Sequence, residues 1–155
     1  MSGQETVARE VVLTVPADMG ELDTIRLTLY GVAVRMGFTY EAIEDMKVAL
    51  TEACNHALLQ LAAVEPAMAL RFVFSMRPGE LTMRVEGQNC KLSFGEVGRS
   101  PVDMVQQAQE EDRQLFEMDH LGLYMMQALV DEVRVIPAGE DAQAAQSIEL
   151  LKRLS

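Results

Sequence analysis

The run Val11-Val12-Leu13-Thr14-Val15 is short and rich in β-branched residues, and Pro16 closes it, which predicts a strand. From Glu21 to Met36 the apolar positions Leu22, Ile25, Leu29, Val32 and Met36 recur at helical spacing, and Gly37 supplies a stop. A second apolar stripe, Leu27, Tyr30 and Val34, runs roughly opposite the first, where a lone surface helix needs only one. That stripe is either buried between two layers of the same domain or meets another chain. Thr39 is placed to cap a second helix with Glu41, Glu44 and Asp45 near its positive end. Ile43, Met46, Leu50, Ala53, Ala57 and Leu61 form its core stripe, while Glu52, His56 and Gln60, four apart, stack on one other face.

Further on the period changes to two. Leu70-Arg71-Phe72-Val73-Phe74 and Leu81-Thr82-Met83-Arg84-Val85 alternate, and Pro78-Gly79 between them predicts a hairpin. Residues 91–118 read as an irregular, acidic and mostly mobile segment around Glu110-Glu111-Asp112. Leu121 to Val130 has a helical pattern; Val133–Ile136 and Ser147–Leu151 read as two final strands around a turn at Gly139. Strand, two helices, hairpin, long loop, helix and hairpin predict an α+β two-layer sandwich with a mostly antiparallel sheet. Residues 1–155 are expected to form a single domain, with a lid-like loop over about 91–118.

Composition narrows the setting. The chain has 155 residues and is 49% hydrophobic, enough to bury a core and to exclude disorder. Apolar runs are short and broken by charges, so no transmembrane helix is expected. Met1-Ser2-Gly3-Gln4-Glu5 lacks the basic-then-apolar pattern of a secretion signal. Two cysteines without framework spacing fit a reducing, cytoplasmic setting. The net charge of -11 repels phosphate backbones and anionic lipid, which excludes nucleic acid and membrane as direct partners. Cys54 and Cys90 have no sequence neighbour that argues for nucleophilic chemistry, and the 11 Met are expected mainly as core filler.

The stretch IRLTLYGVAVRMGFTYEAIEDMKVALTEAC, Ile25 to Cys54, resembles the anti-sigma-B factor and serine-protein kinase family of the GHKL ATPase superfamily. A second patch, HLGLYMMQALVDEVRV from His120 to Val135, resembles the same family's glycine box and the helix and strand that follow. The element order agrees from Val11 to Leu151. The resemblance implies a histidine-kinase-like ATPase fold that cradles ATP-Mg²⁺. It also implies an activity that holds a sigma factor inactive and phosphorylates a serine on a small antagonist protein.

Three boxes carry the nucleotide chemistry in that family, and all three depart from its pattern here. In the first, Glu52 stands at the candidate general base, but the Mg²⁺-ligating Asn position four residues later is His56. Asn55 lies one residue early, turned about 100° away on a helix, and Mg²⁺ prefers oxygen over imidazole. Gln60 stands where the family often has His. In the second box, Gly87 occupies the position of the adenine-binding Asp and Asn89 that of the following Gly. Losing the charged acceptor weakens adenine binding by about 1.5–3 kcal/mol, roughly ten- to a hundredfold. Glu86, adjacent on a strand, faces the other side. In the third, Asp119-His120-Leu121-Gly122-Leu123 keeps only Gly122 of the phosphate-wrapping glycines, and Asp119 sets negative charge against a polyphosphate.

Three boxes degraded together point to a chain that kept a partner surface and lost the kinase: an anti-sigma-like regulator with no cofactor. Its expected partners are a sigma factor or a small antagonist, with Arg26 at the family's partner-contacting position and Tyr30 one turn on. The resemblance also implies a homodimer. Two alternatives stand beside this reading. One is an active ATP-dependent serine kinase with a divergent site, Glu52 as base and Asn55 as metal ligand. The other is a metal-binding module in which His56 and His120, near Glu52 and Asp119, take Zn²⁺. The plainer account of those histidines is hydrogen bonding to carboxylates in a filled pocket, with no metal bound.

Overall fold

The computed structural model describes residues 9–61, 68–88, 90–92, 94, 125–137 and 146–154. In chain order they form β1 (Arg9–Pro16), α1 (Leu22–Met36), α2 (Tyr40–Gln60), β2 (Ala69–Arg77), β3 (Glu80–Gln88), β4 (Glu132–Pro137) and β5 (Gln146–Arg153). Residues 125–129, within the helix expected before β4, are helical as well. The strands make one antiparallel sheet in the order β1-β2-β3-β5-β4. Sheet and helices give the α+β sandwich that the two apolar periods predict.

Local signals explain each boundary. A short 3-10 turn at Met19–Glu21 leads into α1, with the Asp18 carboxylate accepting from the Gly20 N–H at 3.0 Å. Gly37 ends α1 at φ 92°, a left-handed position that favours glycine. The Thr39 hydroxyl caps α2 by accepting from the Ala42 N–H at 3.1 Å. The β2–β3 hairpin turns through Pro78 and Gly79 (φ 79°), a type II signature, and the Gly79 carbonyl also accepts from the Leu154 N–H.

One face of the sheet is the core. Leu70, Phe72 and Phe74 of β2, Leu81, Met83 and Val85 of β3, and Ile148 and Leu150 of β5 are buried there. Ile25, Leu29 and Val32 of α1 and the whole predicted stripe of α2 close over them. The opposite face carries ion pairs: Arg71–Glu86 at 2.8 Å and Arg84–Glu149 at 3.1 Å across strands, and Glu132 shared by Arg134 of its own strand and Arg153 of β5. Both arginines hold the Glu132 carboxyl below its ordinary range, Arg134 most strongly through its hydrogen bond.

One open question narrows and one expectation changes. Among the described residues the second stripe of α1 is uncovered: Leu27 is 70% exposed, Tyr30 47% and Val34 49%. The start of the segment read as mobile is anchored, because Leu92 and Phe94 are buried and tied to Gln146. Their backbone accepts and donates through that one residue, so two apolar side chains in a polar stretch are drawn into the core. The rest of the 91–118 segment lies outside the described residues, as does the Gly139 turn.

Candidate functional site

Helix α2 carries most of the candidate residues, and its pitch separates them. Glu52, His56 and Gln60 follow one another at i, i+4 spacing, and the Gln60 side-chain amide donates to the His56 carbonyl at 3.3 Å. The His56 ring lies 5.5 Å from the Phe94 ring, with the two planes 38° apart. Phe94 is fully buried, and its N–H donates to the Gln146 side-chain oxygen at 2.7 Å. Thus the His56 side of α2 is met by the chain that follows β3. Asn55, one residue earlier, points about 100° away from His56. Its Oδ1 is buried and has no hydrogen-bond partner among the described residues.

The end of β3 is crowded. Gly87 follows Leu81, Met83 and Val85 on the core-facing side of the strand. A Cβ built there lies 2.8 Å from the Cys90 carbonyl oxygen, 2.9 Å from Cys90 Sγ and 3.2 Å from Leu92 Cγ. The chain turns back so closely that only glycine fits. Cys90 is held in place by its thiol donating to the Ala69 carbonyl at 3.5 Å. Glu86 faces the other side, as strand alternation predicts, and pairs with Arg71.

The other side of α2 meets α1. Arg26 donates from Nε to the Thr51 hydroxyl at 3.1 Å, and Thr51 in turn donates to the Lys47 carbonyl at 2.7 Å. An open groove of about 400 Å³ lies there, lined by Arg26, Glu44, Lys47, Val48, Thr51 and Glu52. Lys47 is matched by Glu44 at 3.4 Å, whereas among the described residues Arg26 has as its ion-pair partner only the distant, exposed Asp23 at 3.7 Å. Behind the groove, burial pushes the Cys54 thiol from 9.0 up to about 12, with the Arg26 charge pulling slightly the other way. Cys54 is therefore a core residue and no nucleophile.

The structure brings together Arg26 and Glu52 at one groove, and His56 with the chain near Gly87 through Phe94. Asn55 lies one turn from Glu52 at i, i+3 spacing and about 100° round the helix from His56. Asn89, Asp119, His120 and Gly122 lie outside the described residues. Among the described residues no three His, Cys, Asp or Glu side chains cluster as metal ligands. Thr51 was not a sequence candidate, since nothing in the spacing of residues 25 apart signals its bond to Arg26.

The family description "Histidine kinase-like ATPase domain" matches residues 15–144, from the end of β1 to just before β5. The chain belongs to that family. It is similar to the serine-protein kinase RsbW of Bacillus subtilis (strain 168), at 34% identity over 130 residues, covering 81% of this chain and 76% of that protein. It is also similar to the RsbW of Bacillus cereus (strain 03BB102), at 31% identity over 129 residues, 82% of this chain and 77% of that one. The anti-sigma-B and serine-protein kinase resemblance seen in Ile25–Cys54 is thus shown across most of the chain.

A histidine kinase-like ATPase domain implies ATP-Mg²⁺. On the adenine side Gly87 offers no carboxylate, and Cys90 and Leu92 already fill the space a side chain there would need. On the metal side, α2 offers the Glu52 carboxylate and, three residues on, the buried Asn55 Oδ1, with the His56 imidazole a poorer partner for Mg²⁺ than oxygen.

Proposed function

We propose that this chain is an anti-sigma-factor-like regulator that binds a sigma factor or its small antagonist protein without ATP binding or kinase activity. The observation that carries the reading is the close approach of Cys90 to Gly87, where the family needs room for a carboxylate and a base. The partner classes come from the family resemblance. Arg26 and Tyr30 on α1 are the residues assigned to contact them, and the exposed stripe of Leu27, Tyr30 and Val34 supports an α1 surface that meets another protein chain. A homodimer and a cytoplasmic setting belong to the same reading; no helix among the described residues is long and apolar enough to cross a membrane. The test is affinity capture from the native cell with wild-type and Arg26→Glu protein. A sigma factor retained only by the wild type supports the reading; recovery of antagonist-like proteins alone shifts it to an adaptor role.

A second reading keeps the kinase, with Glu52 as base and Asn55 as metal ligand. It is favoured by the buried, unpartnered Asn55 Oδ1, which has oxygen to give a hard cation. Micromolar binding of ATP-Mg²⁺ would select it.

A further inference from the structure

We propose that Thr51 is a positioning residue that locks the Arg26 guanidinium at the α1–α2 groove, aimed to take a carboxylate from the partner protein. The proposal rests on the reading above that Arg26 contacts the partner. Its physical basis is the polarity of one hydroxyl. The Thr51 hydroxyl has a single proton, and that proton goes to the Lys47 carbonyl at 2.7 Å. Towards Arg26 it therefore acts only as an acceptor, and the donor it takes is Nε–H at 3.1 Å. With Nε held, the two η nitrogens remain as the donor edge of a planar fork, the geometry that matches a carboxylate.

The charges of the groove point the same way. Lys47 is already paired with Glu44 at 3.4 Å. Glu52 lines the groove but makes no ion pair with Arg26 among the described residues. Asp23 stands 3.7 Å from the Arg26 η nitrogen with its side chain 90% exposed, too far and too solvated to use the fork. Arg26 is thus a cation with hydrogen-bonding capacity left over, and its side chain is 38% exposed and within reach of a partner. An arginine already held in one rotamer loses less freedom on binding than a free one.

The test uses the sigma factor or antagonist that the wild-type protein retains in the capture experiment, purified, against wild-type, Thr51→Val and Thr51→Ser proteins. Val matches the size of Thr but cannot accept from Nε; Ser keeps the hydroxyl. Thr51→Val is expected to weaken binding about five- to tenfold, and Thr51→Ser to stay within about twofold of wild type. In the free protein, the Arg26 ¹H–¹⁵Nε signal should be protected from exchange in the wild type and in Thr51→Ser, and lost in Thr51→Val. Thr51→Val binding like wild type, Thr51→Ser failing as badly as Val, or an Nε signal indifferent to Thr51→Val would overturn the proposal. If the wild type retains neither kind of protein, the functional reading fails and takes the partner half of this one with it. The Nε signal then still decides the lock.

Discussion

On the α1 side of α2, Thr51 accepts from Arg26 and donates into its own helix, and a charged groove stays open in front. On the side that meets the chain after β3, His56 lies against the buried Phe94 ring, and Cys90 crowds Gly87. The first side spends its polar groups on holding a cation where another molecule can reach it. The second fills space with the chain's own atoms. One helix thus separates an open, charged groove from a region packed by the chain's own atoms. On the reading proposed above, the first side meets a partner and the second no longer takes a nucleotide.

The largest effect should come from removing the filling. Phe94→Ala deletes a fully buried ring and is expected to cost about 3–5 kcal/mol in denaturant unfolding. Capture of the partner per folded molecule should not change, which would break the comparison if it did.

Cys54 lies between the two sides and tests how dry the interior beneath them is. Its thiol is raised from 9.0 to about 12, so the folded state keeps a proton that the unfolded state releases in that window. Stability is then fully present below pH 9 and falls as pH rises towards about 12, by an amount on the order of a few kcal/mol. Thermal melts should show that loss in the wild type and a flatter profile in Cys54→Ala. Alkylation of Cys54 at pH 9 should require denaturant.

Restoring the family's acid should not restore the site. Gly87→Asp pushes a side chain into Cys90 and is expected to destabilise by about 1–3 kcal/mol in thermal or urea melts, without gain of ATP binding. A stable variant that binds ATP would mean that the crowding is easily relieved.

The smallest stability effect belongs to the open side. Arg26→Ala removes a half-exposed side chain with one charge-assisted hydrogen bond and one solvated ion pair, and after solvent screening should lower stability by about 1 kcal/mol. Partner capture should nevertheless fall steeply. That split between stability and binding sharpens the contrast with Phe94→Ala, where the two move in the opposite sense.

Much of the fold was legible in the pattern of residues. The alternation of β2 and β3 around Pro78-Gly79, the α2 core stripe and the Thr39 cap all follow from local chemistry, which the chain carries in neighbouring positions. Glu86 pointing away from the core followed from strand alternation alone. What stayed hidden depends on contacts between distant segments. The stripe of Leu27, Tyr30 and Val34 is periodic whether or not another layer covers it. Leu92 and Phe94 sit in a polar stretch, and only the anchoring of that stretch to Gln146 buries them. The candidate residues at Gly87 and His56 could be named from the boxes, but that Cys90 fills the space beside Gly87 follows from a turn with no sequence signature. The Thr51–Arg26 bond is of the same kind, since its partners meet only when α1 lies along α2.

Calorimetric titration of the wild-type protein with ATP-Mg²⁺ tests the central claim most directly. Binding to a partner without nucleotide predicts no saturable heat below about millimolar nucleotide, and saturation with a dissociation constant on the order of micromolar would contradict it.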